Sequence, residues 1–294
     1  MSKKFLFISL ILFTPLFCFS QQGYEYFGGL ILNDSTSMTY KLSLTESKGE
    51  VKGYSITDLG GLYETKSTVF GEYDNVNKEL NFREVQTIYT KTPLEKDYDF
   101  CYVNTTIKNF SFEKTEKFKA NFVGLFEDNS QCINGELFLS IAQDIEDKMM
   151  KVKKKIDRMK RIPDSVKQKF QPLKMMDSLN MNILRKNQTL SVFSKSKNVK
   201  LIIYDGGKED GDKITVSVNG KVIRQGFKVS NKKEIIVLSL KEDVTSVAIK
   251  AINEGEISPN TAVVKLEDLN NNIKALSNLK TGEITTIDIL KVKK

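Results

Sequence analysis

The chain has no histidine and no tryptophan among its 294 residues. Without histidine there is no Ser-His-Asp triad, no Cys-His dyad, no imidazole general base and no ordinary catalytic zinc site. Without tryptophan the commonest flat platform for stacking sugar rings is missing, and only Tyr and Phe can stand in for it. Cysteine is scarce at three residues and proline at five. Serine-hydrolase signatures and cysteine-nucleophile contexts are absent. Long apolar runs are confined to the start of the chain.

What is present begins with an export signal. Lys3 and Lys4 precede an apolar run from Phe5 to Phe19, broken only by Ser9, Thr14 and Pro15. The run is short for a bilayer span and turns polar abruptly. Cys18 and Ser20 place small side chains three and one residues before Gln21, which suits cleavage between Ser20 and Gln21. Residues 1–20 therefore read as a cleaved signal peptide, with a periplasmic or extracellular destination and no transmembrane segment left after cleavage. Cys18 invites a lipoprotein reading, but a lipidated cysteine needs a small residue before it and Phe17 is large. Lipid anchoring at Cys18 is disfavoured.

The remainder is long enough for two domains of ordinary size. Two cysteines stay in it, Cys101 and Cys132, and an even pair in an exported chain favours a disulfide over a metal site. Closing a loop of about 30 residues stabilises by roughly 3–4 kcal/mol in the chain-entropy view. The other reading is a pair of free buried thiols.

Residues 21–140 read as eight short strands with turn signals between them, an antiparallel meander closed into a barrel or packed as a sandwich. At about residue 141 the period changes. Ile141, Ile145, Met149, Val152, Ile156 and Met159 fall on one helical face. Acids come first and bases last along that segment, matching the helix dipole. Pro163 ends the helix, and Asp164 caps a second piece that Pro172 stops. Between Lys148 and Lys186 the bases far outnumber the acids Asp157, Asp164 and Asp177. Residues 141–187 are thus a basic helical connector, whose lysines either solvate a face or grip an acidic polymer or lipid surface. Residues 188–294 return to strands and read as an antiparallel β-sandwich. Asn219-Gly220 is its clearest hairpin signal, because both positions tolerate positive φ. The run Ile235–Leu238 suggests a strand covered on both sides. The fold class is mainly β.

Two polar connections in this last segment draw the eye. "YDGGKEDGDK" (204–213) joins two strands, and Asp205 and Asp212 flank it. An EF-hand is excluded, since Gly207 stands at the third position from Asp205 and no glutamate at the twelfth. One reading is a loop-type Ca²⁺ site using Asp205, Asp210 and Asp212 with backbone carbonyls. The other is a wet turn whose Asp side chains bond their own amides. The second connection, "AINEGEISPNTA" (251–262), carries the turn residues Asn253, Gly255, Pro259 and Asn260.

Together, "YDGGKEDGDKITVSVNGKVI" and "AINEGEISPNTAVV" resemble the C-terminal domain of uncharacterised exported proteins of Gram-negative bacteria. That pattern is an Asp, a Gly-rich acidic turn ending Asp-Gly-Asp, a strand ending Asn-Gly, then Asn-x-Gly and Pro-Asn-Thr-Ala. The resemblance covers about residues 188–294. The usual member has Trp before the first Asp, where this chain has Tyr204. It implies a β-sandwich accessory domain and no established activity. The first domain resembles calycins in strand pattern only, and no ligand site carries over from them.

The sequence points to an exported non-catalytic protein that binds or interacts with the envelope, its partner an envelope polymer, a protein or a small ligand, and not a nucleic acid. No cofactor is implied beyond the Ca²⁺ alternative. One rival is a hydrolase of an envelope or environmental polymer, which needs two carboxylates about 5–10 Å apart beside a cleft. Glu25, Asp58, Glu64 and Glu84 sit near strand ends without such a spacing. The other rival is a purely structural envelope component. The interior of residues 23–140, hollow or filled, separates these readings best.

Overall fold

The computed structural model describes residues 23–95, 98–112, 117–169 and 181–292. The expected signal peptide, its cleavage site and Cys18 lie outside the described residues.

Eight strands build the first unit: β1 (Gly23–Leu32), β2 (Ser37–Ser47), β3 (Glu50–Thr57), β4 (Thr65–Asp74), β5 (Glu79–Thr90), β6 (Tyr102–Lys108), β7 (Phe118–Leu125) and β8 (Gln131–Ile141). Each pairs antiparallel with the next, and β8 pairs back onto β1. The meander is therefore a closed eight-stranded barrel with no free edge among its own strands. Alternation along each strand sends one side chain in two inward, as with Tyr40, Leu42 and Leu44 of β2, all buried. A barrel of eight strands is narrow enough for side chains to fill. Tyr26, Leu42, Leu44, Leu80, Phe82, Leu137 and Leu139 belong to one continuous buried cluster that does so. Phe110 and Phe112, beyond β6, join it through edge-on contact with Tyr73, at centroid distances of 5.9 and 5.0 Å. The interior is filled.

Two helices form in the expected connector, α1 (Ala142–Arg158) and α2 (Asp164–Lys169); the expected stop at Pro172 lies outside the described residues, and Ile183–Leu184, counted in the connector from the sequence, form a strand of the second unit. Asp144 lies in the first turn of α1 and Lys155 and Arg158 in the last, each favourable to the helix dipole. The apolar stripe packs only at its start, where Ala142 and Ile145 meet Phe27, Ile56 and Leu59. Val152 and Met159 are about half exposed, so most of α1 projects from the barrel. Among the described residues no helix is long and apolar enough to cross a membrane.

Ten further strands follow: β9 (Ile183–Leu184), β10 (Thr189–Ser194), β11 (Asn198–Tyr204), β12 (Lys213–Val218), β13 (Lys221–Lys228), β14 (Glu234–Ser239), β15 (Val244–Ala251), β16 (Asn260–Glu267), β17 (Asn272–Leu279) and β18 (Ile284–Lys291). They form two layers, ordered β14-β11-β16-β17-β9 and β13-β12-β15-β18-β10. Val199, Leu201 and Ile203 of the first face Ile214, Val216, Val247 and Ile287 of the second in one buried core. The pairing is antiparallel except for β10–β18 and β17–β9, which are parallel. Asn219 and Gly220 turn the β12–β13 hairpin with φ of 48° and 78°, as their residue types require. The apolar run Ile235–Leu238 departs from expectation. It lies in the edge strand β14, with Ile235 and Val237 more than half exposed.

The two units share a sheet. Arg83 of β5 ends the ladder to β6, opposite Asn104, while Tyr89 and Thr90 at the far end of β5 pair with Val192 and Ser191 of β10. Register shifts against β4 leave Val85 and Ile88 as extra residues on β5. Such bulges bend a strand and raise its twist, carrying the end of β5 out of the barrel and onto the second unit.

Candidate functional site

Where β5 leaves the barrel, the connection from β5 to β6 runs along the seam and presents aromatic side chains. Tyr98 and Phe100 pack on Phe193 of β10, with centroids 5.8 and 5.5 Å apart. Two grooves flank this cluster, of about 710 and about 600 Å³, and Tyr98, Val244 and Leu290 line both. The larger is edged by Leu62 and Tyr63, which are largely exposed. Its floor carries polar groups: Gln188 Nε2 and Asp288 Oδ1 are both buried without a hydrogen-bond partner in the protein. Both atoms are closed off from solvent, so the surface this groove offers a ligand is its exposed apolar and tyrosine side chains.

The four acids considered from the sequence take separate roles. Glu25 pairs with Lys41 at 2.9 Å. Asp58 accepts a hydrogen bond from the Tyr63 amide at 2.9 Å, folding the β3–β4 turn. Glu84 is buried inside the barrel at the point where β5 and β6 part. Its Oε2 accepts from the Val103 amide at 2.9 Å, and its Oε1 accepts from the hydroxyls of Tyr40 and Ser55. Burial pushes its pKa above the ordinary value of 4.5, against these hydrogen bonds. Glu64 is buried too, accepting from the Gly60 amide at 2.7 Å and the Tyr89 hydroxyl at 2.9 Å, with Lys91 3.4 Å away. Lys91 also donates to the Ile183 carbonyl at 3.2 Å, tying barrel to sandwich. Burial lowers the Lys91 pKa while the Glu64 charge opposes that shift. Neither buried glutamate lines either seam groove.

Cys101 and Cys132 form a disulfide with Cα atoms 6.0 Å apart.

The acidic connection crosses from β11 in one layer to β12 in the other, so it closes the end of the sandwich. It is not wet. Asp205, Asp210 and Asp212 are 6%, 9% and 0% exposed. Each carboxylate takes one backbone donor: Gly207 to Asp205 at 2.8 Å, Ile257 to Asp210 at 3.1 Å and Thr261 to Asp212 at 2.7 Å. The last two donors come from the 251–262 connection, which interlocks with the first. Asn253 donates to the Gly211 carbonyl at 2.9 Å and accepts from the Lys213 amide at 2.6 Å. Asn260 donates to the carbonyls of Asn253 and Lys213. Pro259 follows a cis bond between these residues. Burial pushes the Asp212 carboxyl up to about 6, the charges of Asp210, Asp205 and Glu254 adding to the rise and the Thr261 amide opposing it.

A scan against protein-family models, a search of curated proteins and a search of solved structures returned no match.

Asn219 and Gly220 turn the β12–β13 hairpin and Asn253 and Pro259 lie in the 251–262 connection, whereas Asn260, expected in the same turn, is the buried first residue of β16. The seam aromatics and the burial of Glu64 and Glu84 escape a reading of the sequence. Their only local trace is an acid flanked by apolar residues in strand segments such as "FREVQ" (82–86), where alternation would place Glu84 on the same face as Phe82.

Proposed function

We propose that the protein is exported and binds a polymer of the cell envelope along the grooves of the barrel–sandwich seam, without catalysing a reaction on it. The observation that carries this reading is the larger groove itself, lined by the exposed Tyr63 and Tyr98. Tyrosine faces stack on sugar rings and planar groups. The filled barrel leaves the seam as the concave surface that joins both units. The buried glutamates favour a structural role over an acid–base one, because each is enclosed and committed to neighbouring donors. The Cys101–Cys132 disulfide supports export, since such bonds persist in oxidising compartments. The resemblance of residues 188–294 to C-terminal domains of exported Gram-negative proteins points the same way.

Sedimentation with purified peptidoglycan and with outer-membrane polysaccharide tests the reading. We expect the wild-type chain to co-sediment with one of them and Tyr98→Ala to lose at least about tenfold in affinity, the order of a lost stacking contact in a binding groove. Equal binding by Tyr98→Ala would remove the seam as the site. Release of soluble fragments from the polymer would favour the hydrolase, and no binding to any polymer would favour the structural component.

A further inference from the structure

Three buried oxygens in the interlocked connections at the end of the sandwich have no donor: Oδ1 of Asp210, Oδ1 of Asp212 and Oδ1 of Asn260. Every one is an acceptor and two belong to carboxylates. Asp212 and Asn260 are fully buried and Asp210 is more than nine-tenths buried. Among the described residues no Lys or Arg forms an ion pair with Asp205, Asp210 or Asp212. Burying like charges together without a cation is strongly unfavourable. The geometry around them is fixed by other contacts: Asn260 spends its amide hydrogens on two carbonyls, which leaves its oxygen as the free end. Gly255, at φ 55°, packs so closely that a Cβ there would lie 2.8 Å from Asp210 Oδ1. The backbone is shaped around that oxygen.

We propose that the 205–212 and 251–262 connections together form a Ca²⁺ site with Oδ1 of Asp210, Asp212 and Asn260 among its ligands, and that the ion clamps the end of the sandwich. Among the described residues no three Asp, Glu, His or Cys side chains make a metal-holding group by themselves. The donor set is therefore mixed: two carboxylates, a side-chain amide oxygen and main-chain carbonyls or water, with Asp205 adding charge nearby. An all-oxygen set with neutral members suits Ca²⁺, which accepts six to eight oxygens in flexible geometry at about 2.3–2.6 Å. Mg²⁺ demands a tighter octahedron and keeps its water. Affinity in the range of extracellular calcium modules, about 10⁻⁴–10⁻³ M, fits so few charges. This inference is independent of the seam.

The test uses the full exported chain. With calcium at tenfold excess over Kd, the unfolding midpoint should rise by about 3–5 °C relative to EDTA. Equal Mg²⁺ should give less than half that shift. Terbium luminescence sensitised through tyrosine gives a readout that needs no variant, because Tyr204 adjoins Asp205 and the chain lacks tryptophan. Calcium should displace the terbium signal. Asp212→Asn keeps the side-chain shape and the oxygen facing Thr261, and it should fold. Without metal it should unfold at a higher temperature than wild type, because a repelled buried charge is gone, and its calcium response should fall at least tenfold in affinity. No calcium shift and no displaceable terbium signal in wild type would overturn the proposal, as would an undiminished response in both Asp212→Asn and Asn260→Ala.

Discussion

Glu84 illustrates how one residue can close a fold without taking part in its chemistry. Where β5 diverges from β6, the Val103 amide would face a missing partner, and the Glu84 carboxylate accepts it. The same carboxylate satisfies the buried hydroxyls of Tyr40 and Ser55. Glu84→Leu leaves three buried donors unmet, at roughly 1–3 kcal/mol each, so urea unfolding should show a loss of about 3 kcal/mol or more. Adding Tyr40→Phe removes one orphan and should return about 1 kcal/mol. The raised pKa sets the sign of a pH effect. In the folded state the carboxyl holds its proton at pH values above 4.5 where the unfolded chain has released it. The wild type should therefore lose stability as pH rises from about 4.5 through the elevated folded value, and Glu84→Gln should lose less across that window. A steeper loss in the variant would show that Glu84 is not the titrating group. Alternation with Phe82 turns Glu84 inward, but its hydrogen bonds were not legible locally, because Tyr40, Ser55 and Val103 are distant in sequence. Asn219-Gly220 was legible, because its positive φ values are a property of the two residues themselves.

At the scale of elements, strands with clear alternation declared themselves, and so did the helix at Ala142. Burial of the helix stripe did not follow from its periodicity: a stripe shows which face can pack, and the barrel offers a surface only to the first turns. The edge position of β14 was hidden for a related reason, since a short apolar run reads alike in a central strand and in an exposed one. The disulfide was readable from the cysteine count and the expected export, but its fit depends on a glycine in β7. A Cβ at Gly124 would stand 2.5 Å from Cys101 Sγ and 2.3 Å from the Ile133 carbonyl oxygen. The backbone oxygen cannot swing away as a side chain could. Gly124→Ala should therefore destabilise the oxidised barrel by about 2 kcal/mol or more, by thermal or urea unfolding. Cys101→Ser with Cys132→Ser should cost roughly 3–4 kcal/mol from the 31-residue separation. In that double variant the Gly124→Ala penalty should shrink and not vanish, since the carbonyl clash remains. An alanine tolerated without loss in the oxidised protein would mean that the β7–β8 ladder, whose register shifts between Val123 and Leu125, relaxes freely there.

Across the whole molecule, the barrel and one layer of the sandwich belong to one sheet. Tyr89 of β5 sits inside the sandwich core with Leu184, Leu190 and Val192, although its strand belongs to the barrel. Its hydroxyl reaches Glu64, whose partner Lys91 reaches across to the Ile183 carbonyl. A sequence boundary near the helices could be read from the change of period, but pairing between Val192 and Tyr89 could not, because it depends on how far two bulges bend β5. Such a junction should make unfolding cooperative. Calorimetry of the wild type should give one transition with equal calorimetric and van't Hoff enthalpies. Lys91→Met removes the ammonium paired with the enclosed Glu64 carboxylate and should cost about 3–5 kcal/mol, the usual result of stranding one member of a buried pair. Adding Glu64→Gln neutralises the stranded group, keeps an acceptor for Tyr89 and should restore a large part of that loss. Because the pair joins both units, the single variant should shift the entire transition to lower temperature without splitting it. Two separate transitions in the wild type, with Lys91→Met moving only one, would mean that the shared sheet joins two independently stable domains.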